Sequence, residues 1–162
     1  MGRLIAAIFV GILLVAAALI MLRGDTAADR TVLLYYYNPT KDMDAEGNIL
    51  CSENGLVAVE RTAIPHTKTP LQDAIEMLLR GELTSAERDA GITTEFPLEG
   101  LRFVDMSNES DGVYELRFED LNGKTVGGSC RVSILRAQIE ATAKQFDGVQ
   151  TVRIMPEELF QP

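Results

Sequence analysis

Residues 42–53 (DMDAEGNILCSE) space their oxygen-bearing side chains as a calcium-binding loop does. A hard cation is wrapped by oxygens at alternate positions of a twelve-residue turn, with glycine at six for the sharp bend and a carboxylate closing at twelve. Asp42, Asp44 and Glu46 fall at one, three and five, Gly47 at six, Asn48 at seven and Glu53 at twelve, with Ile49 as the apolar contact at eight. Calcium held here binds in the range of extracellular modules, about 10⁻⁴ M. Two departures stand against it: Glu46 is one methylene longer than the usual residue, and strands rather than helices flank the segment. The alternative is an acidic hairpin tip that Gly47-Asn48 simply turns, and the sequence leaves both readings open.

Cys51 and Cys130 are the two cysteines. In an oxidising compartment the even count points to one disulfide, from the first hairpin loop to the start of the last helix. Such a bond closes a loop of about 79 residues and stabilises by about 4 kcal/mol. The other possibility is two free thiols that never meet. Cys130 near a helix N-terminus would have a lowered pKa and nucleophilic character. The sole histidine, His66, sits beside Pro65 in a loop, so no base is in view for it. Gly127-Gly128-Ser129 could offer N–H groups to an anion, yet no lysine follows and the fuller glycine pattern is missing, so it reads as a helix entry. Glu157-Glu158 lie in a solvated tail. No nucleophile elbow, phosphate loop or zinc spacing occurs, no residue is assigned a catalytic role, and the chain does not read as an enzyme.

The elements that position these residues follow from periodicity. Residues 31–37 (TVLLYYY) form a strand buried on both faces, ending at Asn38-Pro39. Residues 56–63 are a second strand, with Arg61 on the face of Val57 and Val59. Thr69-Pro70-Leu71-Gln72 opens a helix as a capping box, and Leu71, Ala74, Ile75, Leu78 and Leu79 make its apolar stripe up to Gly81. Thr84 to Glu87 repeats the box for a short helix. Residues 101–106 and 112–119 form a hairpin around a turn at 107–111. Ser129 caps a helix with the stripe Val132, Leu135, Ile139, Thr142, Ala143 and Phe146, and residues 151–155 are the last strand. This order predicts an α+β two-layer sandwich: a mixed sheet of about five strands with two main helices on one face.

The chain before these elements carries nineteen uncharged residues, Leu4 to Leu22, between Arg3 and Arg23. A helix over that run is roughly 28 Å long, the thickness of a bilayer's hydrocarbon core. Residues 1–23 are therefore expected to be a transmembrane anchor, residues 24–30 a tether, and residues 31–162 one domain. The length of the apolar run favours a retained anchor over a cleaved signal peptide, the alternative that would release a secreted protein. Basic residues on the two flanks nearly balance, and the cysteine pair favours an outward-facing domain. Without Arg3 and Arg23 the 15 basic residues become 13 against 24 acidic ones, a net charge of −11. That charge disfavours nucleic acid and anionic lipid head groups.

Several segments in order resemble the GerMN domain of sporulation and spore-germination proteins: VLLYYYN, LVAVERTAI, LQDAIEMLLRGELTSAERDAGITTEFP, FVDMSNESDGVYELRF and QIEATAKQFDGVQTVRI. The resemblance spans roughly Thr31 to Met155. It implies a compact α/β fold similar to the ring-building motifs of membrane-spanning assemblies, an envelope location and a non-enzymatic role with an envelope protein partner. It transfers no functional residues. The leading functional expectation is a membrane-anchored interaction or assembly module, and the second is a calcium-responsive binding module using the loop at 42–53.

Overall fold

A computed structural model describes residues 31–161; the expected anchor and tether lie outside the described residues. The elements are β1 (Thr31–Tyr37), β2 (Leu56–Thr62), α1 (Pro70–Leu79), α2 (Ser85–Asp89), β3 (Leu101–Ser110), β4 (Val113–Asp120), α3 (Ser129–Lys144) and β5 (Thr151–Met155). Among the described residues no helix is long and apolar enough to cross a membrane.

The five strands divide between two sheets, which corrects the expectation of a single one. β1 and β2 pair antiparallel, from Thr31 opposite Thr62 to Tyr37 opposite Leu56. The other sheet has the order β3-β4-β5, with β3 and β4 an antiparallel hairpin and β5 parallel to β4 after the crossover through α3. The reason lies on the outer edge of β1, whose backbone groups are already taken. Gln145 accepts from the Leu33 N–H at 2.8 Å and donates back to the Leu33 carbonyl at 2.6 Å, as a paired strand residue would. The Tyr35 N–H donates to Thr142 Oγ1 at 3.1 Å, and Tyr37 exchanges backbone bonds with Thr93. An edge so occupied cannot accept a further strand.

β1 places Val32, Leu34 and Tyr36 in the core, while Leu33 and Tyr35 are half-buried, so its second face is only partly covered. The core adds Leu71, Ala74, Ile75 and Leu78 of α1, Leu116 and Phe118 of β4, Val132, Leu135, Ile139 and Ala143 of α3, and Val152 and Ile154 of β5. Phe118 meets Phe103 and the tail residue Phe160 edge-on, at centroid distances of 5.4 and 6.2 Å, a favoured aromatic arrangement.

Three local details differ from the sequence reading. The β3–β4 turn is the two residues Asp111-Gly112, with φ of +43° and +82°, and β3 runs on to Ser110. An Asp-Gly pair with both φ positive matches the right-handed twist of the strands, so the ladder continues almost to the tip. Thr69 precedes α1 without a side-chain cap, its backbone lying outside the extended region, and Gln72 bonds Glu76 instead. Ser129 is the first residue of α3, with Gly128 before it as the cap position. The Thr84–Glu87 capping box does form. Its Glu87 also receives both guanidinium nitrogens of Arg61 at 2.8 Å, which explains the arginine on the inner side of β2. The Arg61 bonds pull the Glu87 pKa down to about 2.

Gln145→Ala removes three hydrogen bonds, two to Leu33 and one to the Thr142 carbonyl, and bares the Leu33 peptide groups. It should lower unfolding free energy by about 2 kcal/mol in urea titration; an unchanged midpoint would show that the edge does not depend on this side chain.

Candidate functional site

The segment from Asn38 to Gly55 links β1 to β2 and is folded by its own polar side chains. Asn38 is buried; its amide donates to the Ala90 carbonyl at 3.0 Å, and its oxygen accepts from the Thr40 N–H and hydroxyl. Pro39 then starts one 3-10 turn, Pro39–Lys41, that delivers Asp42 inward. The Asp42 carboxylate is 1% exposed and accepts three hydrogen bonds: Tyr37 Oη at 2.5 Å, the Ser52 N–H at 2.6 Å and Ser52 Oγ at 2.5 Å. Bonds from Ser52, then Tyr37, hold its pKa below the ordinary carboxylate value. Burial, then the bond to Asp42, pushes the Tyr37 hydroxyl up. The Tyr37 ring lies where a Gly55 side chain would start: a Cβ there would come within 2.2 Å of it.

Beyond Asp42 the chain makes a small hairpin. Asp44 and Asn48 join through Asp44 N–H to Asn48 O at 2.9 Å, and Leu50 N–H returns to Asp42 O at 2.8 Å. Met43 and Ile49 face each other between these bonds. The Asp44 carboxylate accepts from the Glu46 and Asn48 N–H groups and from the Asn48 amide, a local turn bond set that lowers its pKa through Asn48 first. Gly47 turns the tip at φ +86°.

The five residues placed on the calcium spacing are not gathered around one point. Asp42 faces Tyr37 and Ser52, Asp44 is closed on its own turn, and Glu46 and Glu53 are exposed, Glu53 opening a 3-10 turn of its own. Among the described residues no three acidic, histidine or cysteine side chains are grouped to hold a metal ion. The geometry is that of the acidic hairpin. Nothing in the spacing pointed to Ser52 or Tyr37 as the partners of Asp42; the nearest signal was Ser52 before Glu53-Asn54-Gly55, a turn cap that the structure does form through the Asn54 N–H.

Cys51 and Cys130 are joined, with Cα atoms 5.2 Å apart and a sequence separation of 79. This replaces the free-thiol alternative, and with it the nucleophilic role of Cys130. The bond staples the far end of the hairpin to the first turn of α3. His66 is exposed in the loop after β2. Ahead of α3 the Arg131 side chain lies against Gly127 and donates to the carbonyls of Val126 and Lys124 and to Glu95 at 2.6 Å. A cleft of about 120 Å³ is lined by Leu34, Arg61, Met77, Arg80 and Glu82. It is well below the roughly 300 Å³ of small-ligand pockets, and Arg61 there is already bound to Glu87.

Comparison with known proteins bears on the fold. The family model described as "Germane: Sporulation and spore germination" matches residues 33–158. The tandem GerMN domains of the sporulation protein GerM from Bacillus subtilis are similar in structure, with a TM-score of 0.54 and 20% identity over 83% of this chain. This chain spans 42% of that tandem chain's length. The first GerMN domain of the same protein gives 0.49 and 20% identity, covering 79% of this chain and 86% of that one. No curated protein matches.

Two outcomes test the site. Asp42→Asn should lower the melting temperature by roughly 5 °C, equally with and without millimolar calcium; a calcium-dependent rise in the parent that the variant loses would restore the ion-binding reading. The wild-type contribution of Asp42 is full above the unfolded carboxylate pKa near 4 and is lost as pH falls through its lower folded value. Separately, thiol titration of the unfolded, unreduced chain should find no free thiol. Cys51→Ser with Cys130→Ser should cost about 4 kcal/mol in denaturant unfolding.

Proposed function

Because the chain belongs to the sporulation and spore germination (Germane) family, we propose that residues 31–162 act as a non-enzymatic interaction module of a cell envelope. Residues 1–23 hold the module at the extracytoplasmic face of a membrane, and residues 24–30 give it a short tether. The observation that carries this reading is the Cys51–Cys130 disulfide. Disulfides persist in oxidising compartments and are rare in the cytosol, and the nineteen-residue apolar run supplies the route across.

The chemistry of the side chains supports a binding role over a catalytic one. Asp42, Asp44 and Glu87 have carboxylates engaged by hydrogen bonds that hold the chain's own turns and caps, with lowered pKa values suited to staying ionised. Both sulfurs are consumed in the crosslink. A general base or acid needs a pKa near the working pH, and these three carboxylates are held below the ordinary carboxylate value. The calcium-responsive alternative would require Asp42 to release Tyr37 and Ser52, and no contact in the loop favours it.

The full-length chain, extracted from its native membrane in mild detergent, should run as a complex with another envelope protein. In intact cells stripped of wall, an impermeant protease should digest the domain. A clean monomer, or a domain protected inside the cell, would reverse the assignment.

A further inference from the structure

β1 runs from Thr31, where the chain leaves the tether, to Tyr37. α3 runs back beside it, with Cys130 held at the hairpin end and Gln145 at Leu33. The connection at 38–55 and the loop at 121–128 therefore share the pole opposite Thr31. Among the described residues, seven large apolar side chains are prominently exposed. Five of them, Met43, Ile49, Leu50, Leu121 and Val126, belong to these two segments, at 46% to 65% exposure. Since Asp42 points inward, Met43 points out, directly across from Ile49. Such a pair is costly to leave in water. It is also held stiffly by the Asp42 bonds and the disulfide, so little conformational freedom remains to be lost on binding.

We propose that this pole docks a second envelope protein, through a patch on that partner with an apolar centre and a basic rim. The inference rests on the interaction-module reading and adds its surface and the chemistry of its partner. Charge selects this occupant: on the pole Asp44, Glu46 and Glu53 outnumber Lys41 and Lys124, and the chain beyond Arg23 carries a net −11. A second copy brings the same charge and is repelled. The same charge disfavours the anionic head groups of a lipid surface, which leaves a protein with a basic rim as the complementary partner.

The test uses the full-length chain in its native membrane with a photo-crosslinking amino acid at Ile49, and at Ile64 near the Thr31 end as the control. The expected result is one heterologous protein adduct at Ile49 and none at Ile64. Its yield should fall several-fold in Glu46→Lys/Glu53→Lys and in about 0.5 M salt. Met43→Ser should reduce it likewise without moving the melting temperature. Lipid adducts or self-adducts at Ile49, or a protein adduct insensitive to charge and salt, overturn the proposal. A specific protein adduct at Ile64 alone removes this pole and leaves the interaction module standing. No protein adduct at either site removes both.

Discussion

On the side away from β2, the peptide groups of Leu33 and Tyr35 meet Gln145, just past the end of α3, and Thr142 of α3 where another strand would ordinarily lie. Much of the remaining architecture depends on that substitution of side chain for strand. It seats the C-terminal half of α3 along β1, and so fixes the helix antiparallel to the strand. With the helix direction set, Cys130 must arrive at the Tyr37 end, where the chain has just turned through the hairpin carrying Cys51. The disulfide is a consequence of this packing as much as a cause of stability. It also completes the core, because Val132, Leu135 and Ile139 then face Leu34, Tyr36 and the α1 stripe.

The parts legible in the sequence were those set by local periodicity. β1 and β5 fall on their expected residues because a continuous apolar run and a short alternating one admit no other register. The stripes of α1 and α3 point inward as the helical period requires. What periodicity does not carry is which strand lies beside which. A threonine on the inner face of α3 and a glutamine just past its last residue are chemically silent in sequence, and Thr142 passed as one more member of an apolar stripe. Only the fold shows that its hydroxyl faces a peptide N–H. The single-sheet expectation failed at that residue and at Gln145.

The site illustrates a different limit. The acidic spacing at 42–53 fits a calcium loop because ion loops and tight hairpins need the same things: short side-chain acceptors and a glycine at the bend. What distinguishes them is where the first carboxylate points. In an ion loop it turns towards the centre with its oxygens free, whereas Asp42 turns back to the body and meets two hydroxyls and a peptide N–H. Tyr37 lies five residues upstream and Ser52 ten residues downstream, at separations that belong to no local motif. The cysteine pairing was legible because two cysteines leave one intramolecular bond to make, and compartment was the remaining variable.

These two constraints act at opposite ends of the same strand, and together they give the domain a direction. Near Thr31, polar side chains of α3 close an edge that would otherwise recruit strands, which suppresses one common route to association. At the other end, buried hydrogen bonds and a covalent bond stiffen a hairpin that places Met43 and Ile49 in water. Bracing matters when the tip must meet another surface without first being ordered, because each side chain immobilised on binding costs about 0.5–1.5 kcal/mol. Under the proposed docking, closing the proximal edge and stiffening the distal tip work in the same sense: one end is denied to incoming strands and the other is ordered before contact.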